Sequence, residues 1–214
     1  MTRDFPEGYL PLCRRFGFDE GIPWTRHWSA APDFLERAVA EVAASSVAQV
    51  LECGSGLSTL MLAAACRERG GGLVTALEQW PEGAAATREA LARYRLEAYA
   101  RVVDAPLVSW RLEGEIWPWY RLDEAVLPEA VTLLVVDGPP GRLRPLARYP
   151  ALPLLGARLA PGWRLLLDDA ARPDERRVVA RWLRRRPDLA HEYLPLERGC
   201  SRLWSTRPPP HGGA

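Results

Sequence analysis

The stretch that most constrains this chain is Val50-Leu51-Glu52-Cys53-Gly54-Ser55-Gly56-Leu57-Ser58-Thr59. The apolar run from Ala48 to Leu51 predicts a buried strand, and a helical pattern runs from Leu57 to Arg67. Between them stand an acid, two glycines and small hydroxyl residues. A strand that breaks into a glycine turn and enters a helix leaves unpaired backbone N–H groups at the helix N-terminus. Glycine at 54 and 56 lets a ligand approach the backbone where any Cβ would clash. The turn predicts a nucleotide-like cofactor.

A dinucleotide-binding turn requires a third glycine where this chain has Thr59. Glu52 would repel a pyrophosphate but suits a cationic ligand. S-adenosylmethionine (SAM) carries both a sulfonium and an ammonium group. The E-x-G-x-G-x-S/T pattern resembles the first motif of class I SAM-dependent methyltransferases. A strand–turn–helix without a ligand is the alternative at this point.

Residues 1–29 are rich in proline, glycine and aromatics without periodicity and predict an irregular arm holding Trp24, His27 and Trp28. Ser29 is expected to cap the next helix, with Pro32 in its first turn. Leu73 to Leu77 reads as a strand closing on Glu78, an acid about twenty residues past the turn that can accept both ribose hydroxyls. Ala100 to Val103 reads as a strand ending at Asp104-Ala105. The aromatics Trp110, Trp117, Trp119 and Tyr120 leave three readings open: a substrate platform, core, or the contact of a homodimer. Val131 to Val136 is an uncharged strand ending in Asp137-Gly138-Pro139-Pro140-Gly141, and Trp163 to Leu167 ends in Asp168-Asp169. Two final strands, 191–196 and 201–206, pair as a hairpin. The order predicts a single α/β domain over residues 30–206, mostly parallel with an antiparallel edge, and a flexible tail at 207–214.

Glu52-x-Gly54-x-Gly56, Glu78, Asp104, Asp137-Gly-Pro-Pro and Asp168-Asp169 all fall at carboxyl ends of predicted strands. Over residues 30–206 the chain resembles class I SAM-dependent methyltransferases, and bacterial members carrying V-D-G-P-P-G and L-D-D-x-x-R-P-x-E most of all. The resemblance implies a Rossmann-like, seven-stranded sheet in the order 3-2-1-4-5-7-6. It also implies cofactor contacts from Glu52, Gly54, Ser55, Gly56, Ser58, Glu78, Asp104, Ala105 and Asp137, with Asp104 reading the adenine amino group. A more distant similarity is to metal-dependent O-methyltransferases such as catechol O-methyltransferase, which implies Mg²⁺ on Asp137, Asp168 and Asp169. That family has an amide in place of Asp169 and a lysine in place of Pro140. The alternative gives Asp137 to the cofactor pocket and pairs Asp168 and Asp169 with loop N–H groups or with Arg172. If the acceptor is a hydroxyl, its proton needs a base, for which Asp168, a metal-bound hydroxide, and His27 with the arm folded over the site are the candidates.

Net charge is +1, which supplies no field for nucleic acid or an anionic membrane. No apolar run approaches the roughly twenty residues of a membrane span. The four cysteines form no C-x-x-C pair, so zinc and disulfides are not expected. All 28 basic residues are arginine, a mark of GC-rich coding that lowers the weight of any single one. The expectation is a cytoplasmic SAM-dependent methyltransferase acting at oxygen on a small molecule or sugar. Its rivals are a non-catalytic SAM-binding protein, an NAD-dependent oxidoreductase and a nucleic-acid methyltransferase.

Overall fold

The computed structural model describes residues 6–19, 22–45 and 48–207. The N-terminal segment is not irregular throughout. A 3-10 turn at Glu7–Tyr9 leads into α1 (Leu10–Phe16), which Gly17 closes in the left-handed region at φ 72°. Tyr9, Leu12, Cys13 and Phe16 face inward and join the core, and the Tyr9 hydroxyl donates to the Ala30 carbonyl at 2.9 Å. This helix spans only two turns, too few for its spacing to stand out among prolines and glycines. In α2 (Pro32–Ala44), Pro32 takes the first helical position, where its missing N–H has no consequence. Ser29 does not cap it. Ala31 holds the cap position, and the Ser29 hydroxyl accepts the Thr25 N–H at 2.9 Å instead.

The chain then alternates through β1 (Gln49–Cys53), α3 (Leu57–Glu68), β2 (Leu73–Glu78), α4 (Pro81–Arg93) and β3 (Ala100–Asp104). β1 pairs in parallel with β2, and β2 with β3. A helix must cover each such crossover, which is why α3 is buried along its length from Leu57 to Cys66. Next come β4 (Leu107–Leu112) and β5 (Glu115–Tyr120), an antiparallel pair outside the main sheet. The main sheet resumes with β6 (Val131–Val136), followed by α5 (Ala151–Leu155), β7 (Leu159–Leu167) and α6 (Pro173–Arg185). It ends with β8 (Leu189–Leu194) and β9 (Cys200–Ser205).

The seven-stranded order is β3-β2-β1-β6-β7-β9-β8, with β9 antiparallel to both β7 and β8. With the β4–β5 pair set aside, this is the 3-2-1-4-5-7-6 order that the resemblance implied. β1 and β6 lie at the centre, buried on both faces, and this accounts for the uncharged run Val131–Val136. The order reverses between them, and the carboxyl ends of strands at such a point form a crevice.

The aromatic stretch is largely core, and Tyr120 also lines the cavity described below. Trp117, Trp119 and Tyr120 are fully buried, Trp117 packs on Tyr149 at 5.1 Å, and the Trp110 indole donates to the Tyr120 carbonyl. Among the described residues no helix is long and apolar enough to cross a membrane. All four cysteines are free and buried. Of the expected tail at 207–214, residues 208–214 lie outside the described residues.

Candidate active site

The glycine turn is tied down on every side except the one it presents to the crevice. The Gly54 N–H donates to the Leu77 carbonyl at 2.9 Å, which holds the turn over β2. Gly54 and Gly56 have φ of 103° and 148°, values that favour glycine. A Cβ at Gly56 would meet no protein atom within 4 Å, and one at Gly54 only main chain near 4 Å. The space beside the turn is therefore open, of the kind a ligand lying against bare backbone would use. Thr59 closes the helix start by accepting the Gly56 N–H at 3.1 Å and donating to Glu52 Oε2 at 2.6 Å. From the end of β2, Glu78 Oε1 accepts the Trp80 N–H, and its Oε2 faces Ser55.

These groups form one side of a cavity of about 920 Å³. Glu52, Gly54, Ser55, Gly56, Ser58 and Glu78 line it. Asp137, which follows β6 beside the glycine turn, and Asp169, Arg172, Glu175 and Arg198 form another wall, and Trp24, His27 and Trp28 of the N-terminal segment complete it. At the rim Trp28 meets Trp80 edge-on with ring centres 5.1 Å apart, and the Arg142 guanidinium lies 4.7 Å over Trp28. Three expected residues are absent from the wall. Asp104 is exposed and pairs with Arg88 at 2.9 Å, Ala105 is buried with its N–H on the Glu78 carbonyl, and Asp168 lies behind the wall.

The wall of Asp137 and Asp169 is built around a residue the sequence did not single out. Asp137, Asp168 and Asp169 do converge, with one oxygen of each within 4.8 Å of the others. Arg148, only 4% exposed, lies among them. Its Nη2 donates to Asp137 Oδ1 at 3.1 Å and to Asp169 Oδ2 at 2.9 Å. Nη2 also reaches the Asp137 carbonyl and Nη1 the Asp168 carbonyl, both at 2.9 Å. Arg172, the expected internal partner, binds Asp169 Oδ2 from outside at 2.8 Å but does not reach Asp168.

Electrostatics follow from this burial. Burial raises Asp137 to about 7 against the pull of Arg148. Burial, together with Asp137 and Asp169, holds Asp168 well above the ordinary carboxylate range, and neither Asp168 oxygen has a partner among the described residues. Burial without a partner favours the neutral form of such a carboxyl. Burial works against the charge of Arg148, but Asp137, Asp169 and Glu175 outweigh it and strengthen its hold on the proton. Burial also raises Glu52 to about 7, and its Oε1 has no partner among the described residues.

A family model described as a methyltransferase domain matches residues 51–170, more than half of the chain. The chain belongs to that methyltransferase family. No curated protein matches it. Among solved structures it is similar to the precorrin-6y C5,15-methyltransferase of Geobacter metallireducens, at 12% identity over 87% of this chain and 95% of that one, with a TM-score of 0.61. It is also similar to the O-methyltransferase of Bacillus cereus in complex with SAH, at 15% identity over 96% and 93% of the two chains, with a TM-score of 0.61. The SAH-bound Podospora anserina methyltransferase aligns at 16% identity over 95% and 90%, with a TM-score of 0.60. At these identities the likeness is one of fold.

For a methyltransferase, two wall residues matter that the sequence reading missed. Arg148 was one arginine among 28. Glu175 lies in the first turn of α6, where an acid ordinarily complements the helix dipole from the surface. Here it is 3% exposed, lines the cavity and leaves Oε2 without a partner among the described residues. Burial raises its pKa, opposed by Arg148. The partner atoms of both residues come from distant segments, so although Glu175 closes the L-D-D-x-x-R-P-x-E stretch, nothing local marks its burial or that of Arg148.

Proposed function

We propose that this protein is a SAM-dependent methyltransferase that methylates a hydroxyl group of a small molecule or sugar. The observation that carries the proposal is the bare-backbone cradle at Gly54–Gly56, flanked by two buried acids that face one cavity. Glu78 would take the ribose hydroxyls, and Glu52 would take the cationic part of the cofactor. Bound there, SAM supplies an already activated methyl group. What remains for the chain is to align the acceptor oxygen with that methyl and accept the hydroxyl proton.

Two wall residues can take the proton, His27 and Glu175. Asp168, expected in that role, lies behind the wall and is not offered as the base. The cavity, about 920 Å³, has room for both a cofactor and a small acceptor. A small acceptor in the cytoplasm, not nucleic acid, is part of the proposal and is supported by the net charge of +1. Residues 30–206 would be the catalytic domain, with the preceding segment adding to its wall.

Calorimetry with SAM, SAH and NADH tests the cofactor, and transfer of labelled methyl from SAM to a panel of hydroxylated small molecules tests the reaction. NADH binding without SAM binding would overturn the proposal. SAM binding with no transfer to any hydroxyl would favour a non-catalytic SAM-binding protein.

A further inference from the structure

We propose that Arg148 is the resident cation of the acid cluster, standing where a divalent metal would otherwise be needed. The three aspartates offer hard oxygen ligands of the type magnesium and calcium take. Two of the three are already committed. Asp137 Oδ1 and Asp169 Oδ2 both accept from one nitrogen, Arg148 Nη2, at 3.1 and 2.9 Å. The oxygens left over, Asp169 Oδ1 and both of Asp168, belong to carboxylates that crowd within 4.8 Å of one another around the guanidinium, so an ion on them would lie beside it, and two cations so close repel strongly away from water. As they stand, the residues do not fit a divalent ion.

The guanidinium also ties the main chain. Its two Nη groups bond the main-chain carbonyls of Asp137 and Asp168, which directly follow the neighbouring strands β6 and β7. Planar, permanently charged and rich in donors, arginine suits this fork. Arg148 thus fixes both strand ends and the carboxylates beyond them. It is a positioning residue for the cavity wall.

The inference rests on the proposed methyltransferase site, but its first test needs no substrate. The probe is Mn²⁺ alone, followed by electron paramagnetic resonance and thermal denaturation of the full chain. The wild type should show no stoichiometric Mn²⁺ binding and the same melting temperature in EDTA as in millimolar Mn²⁺. Arg148→Met leaves the acids without their cation. It should bind one Mn²⁺ per chain more tightly than wild type by at least about tenfold and melt higher with the ion than in EDTA. If Arg148→Met does not fold in EDTA, refolding with Mn²⁺ should recover it. Arg148→Lys, which keeps the charge but not the fork, should fold and stay insensitive to Mn²⁺.

Stoichiometric Mn²⁺ binding by the wild type, lost in Asp169→Ala, would overturn the proposal. So would an Arg148→Met variant that never responds to the ion. SAH calorimetry in EDTA checks the cofactor reading separately: absent SAH binding would sink that reading while leaving the Mn²⁺ result in place.

Discussion

Ser55 donates both its backbone N–H and its hydroxyl to the same oxygen of Glu78, each at 2.9 Å. The glycine turn after β1 and the acid after β2 are therefore one rigid unit before any ligand arrives. Preorganisation of this kind keeps binding free energy from being spent on ordering the site.

Breaking that unit should weaken the cofactor. Glu78→Ala removes the expected ribose acceptor and the anchor of Ser55, and should reduce SAH affinity by about 1.5–3 kcal/mol. Gly56→Val fills the open cradle and strains a backbone at φ 148°, so it should abolish binding. Calorimetry with SAH reads both. Unchanged affinity in either variant would remove the turn from the site.

Cofactor affinity should rise with pH. Burial raises Glu52 from its ordinary 4.5 to about 7, and a cationic ligand favours its ionised form, so binding expels a proton. SAM should bind about tenfold more tightly at pH 8 than at pH 6. The unliganded protein should behave oppositely. Its native state holds this proton more tightly than the unfolded chain does, so the Glu52 contribution is complete below 4.5 and lost as pH rises through about 7. That loss is on the order of 3 kcal/mol. Glu52→Gln should flatten the binding profile and reduce the slope of the stability profile, to which Asp137, also raised to about 7, still contributes; profiles unchanged in that variant would show that another group is responsible.

Gly138 has no room for a side chain. A Cβ there would lie 2.2 Å from the Tyr120 hydroxyl and 3.1 Å from the Cys53 carbonyl. Gly138→Ala should destabilise by about 1–3 kcal/mol, because the fully buried ring has nowhere to shift. The Tyr120 hydroxyl has no partner among the described residues, so Tyr120→Phe alone should be neutral or stabilising. In urea denaturation the double variant should recover part of the Gly138→Ala loss. Strict additivity would mean that the two sites are not in contact.

Gly199, between β8 and β9, is held at φ 70° with its backbone against the chain beyond Asp169. The Ala170 N–H donates to its carbonyl, and a Cβ would come within 2.6 Å of the Ala171 nitrogen. Gly199→Ala should destabilise by about 1–3 kcal/mol in urea titrations, from strain and lost pairing together. SAH affinity should change much less, since the cofactor wall is on the other side.

The parts legible in the sequence were those written in local pattern. The uncharged run Val131–Val136, the glycines at 54 and 56 and the strand-end acids each follow from a few neighbouring residues. The turn of the β4–β5 hairpin was also local, since Glu113-Gly114 carries the two positive φ values of a tight hairpin connection. Which of Asp168 and Asp169 reaches the cavity was not readable, because β7 ends at Leu167 and Asp169 turns to φ 58°. The role of Arg148 was hidden for another reason. Its acceptors lie 11, 20 and 21 residues away and meet only when β6 and β7 lie side by side.

The cavity wall has two suppliers. The cofactor side comes from residues 52–58 and 78–87, inside the family-matched segment. Much of the facing side comes from residues 22–30, 172–175 and Arg198, all outside it. The segment before α2 and the start of α6 can therefore reshape one face of the cavity while the glycine turn and Glu78 stay as they are.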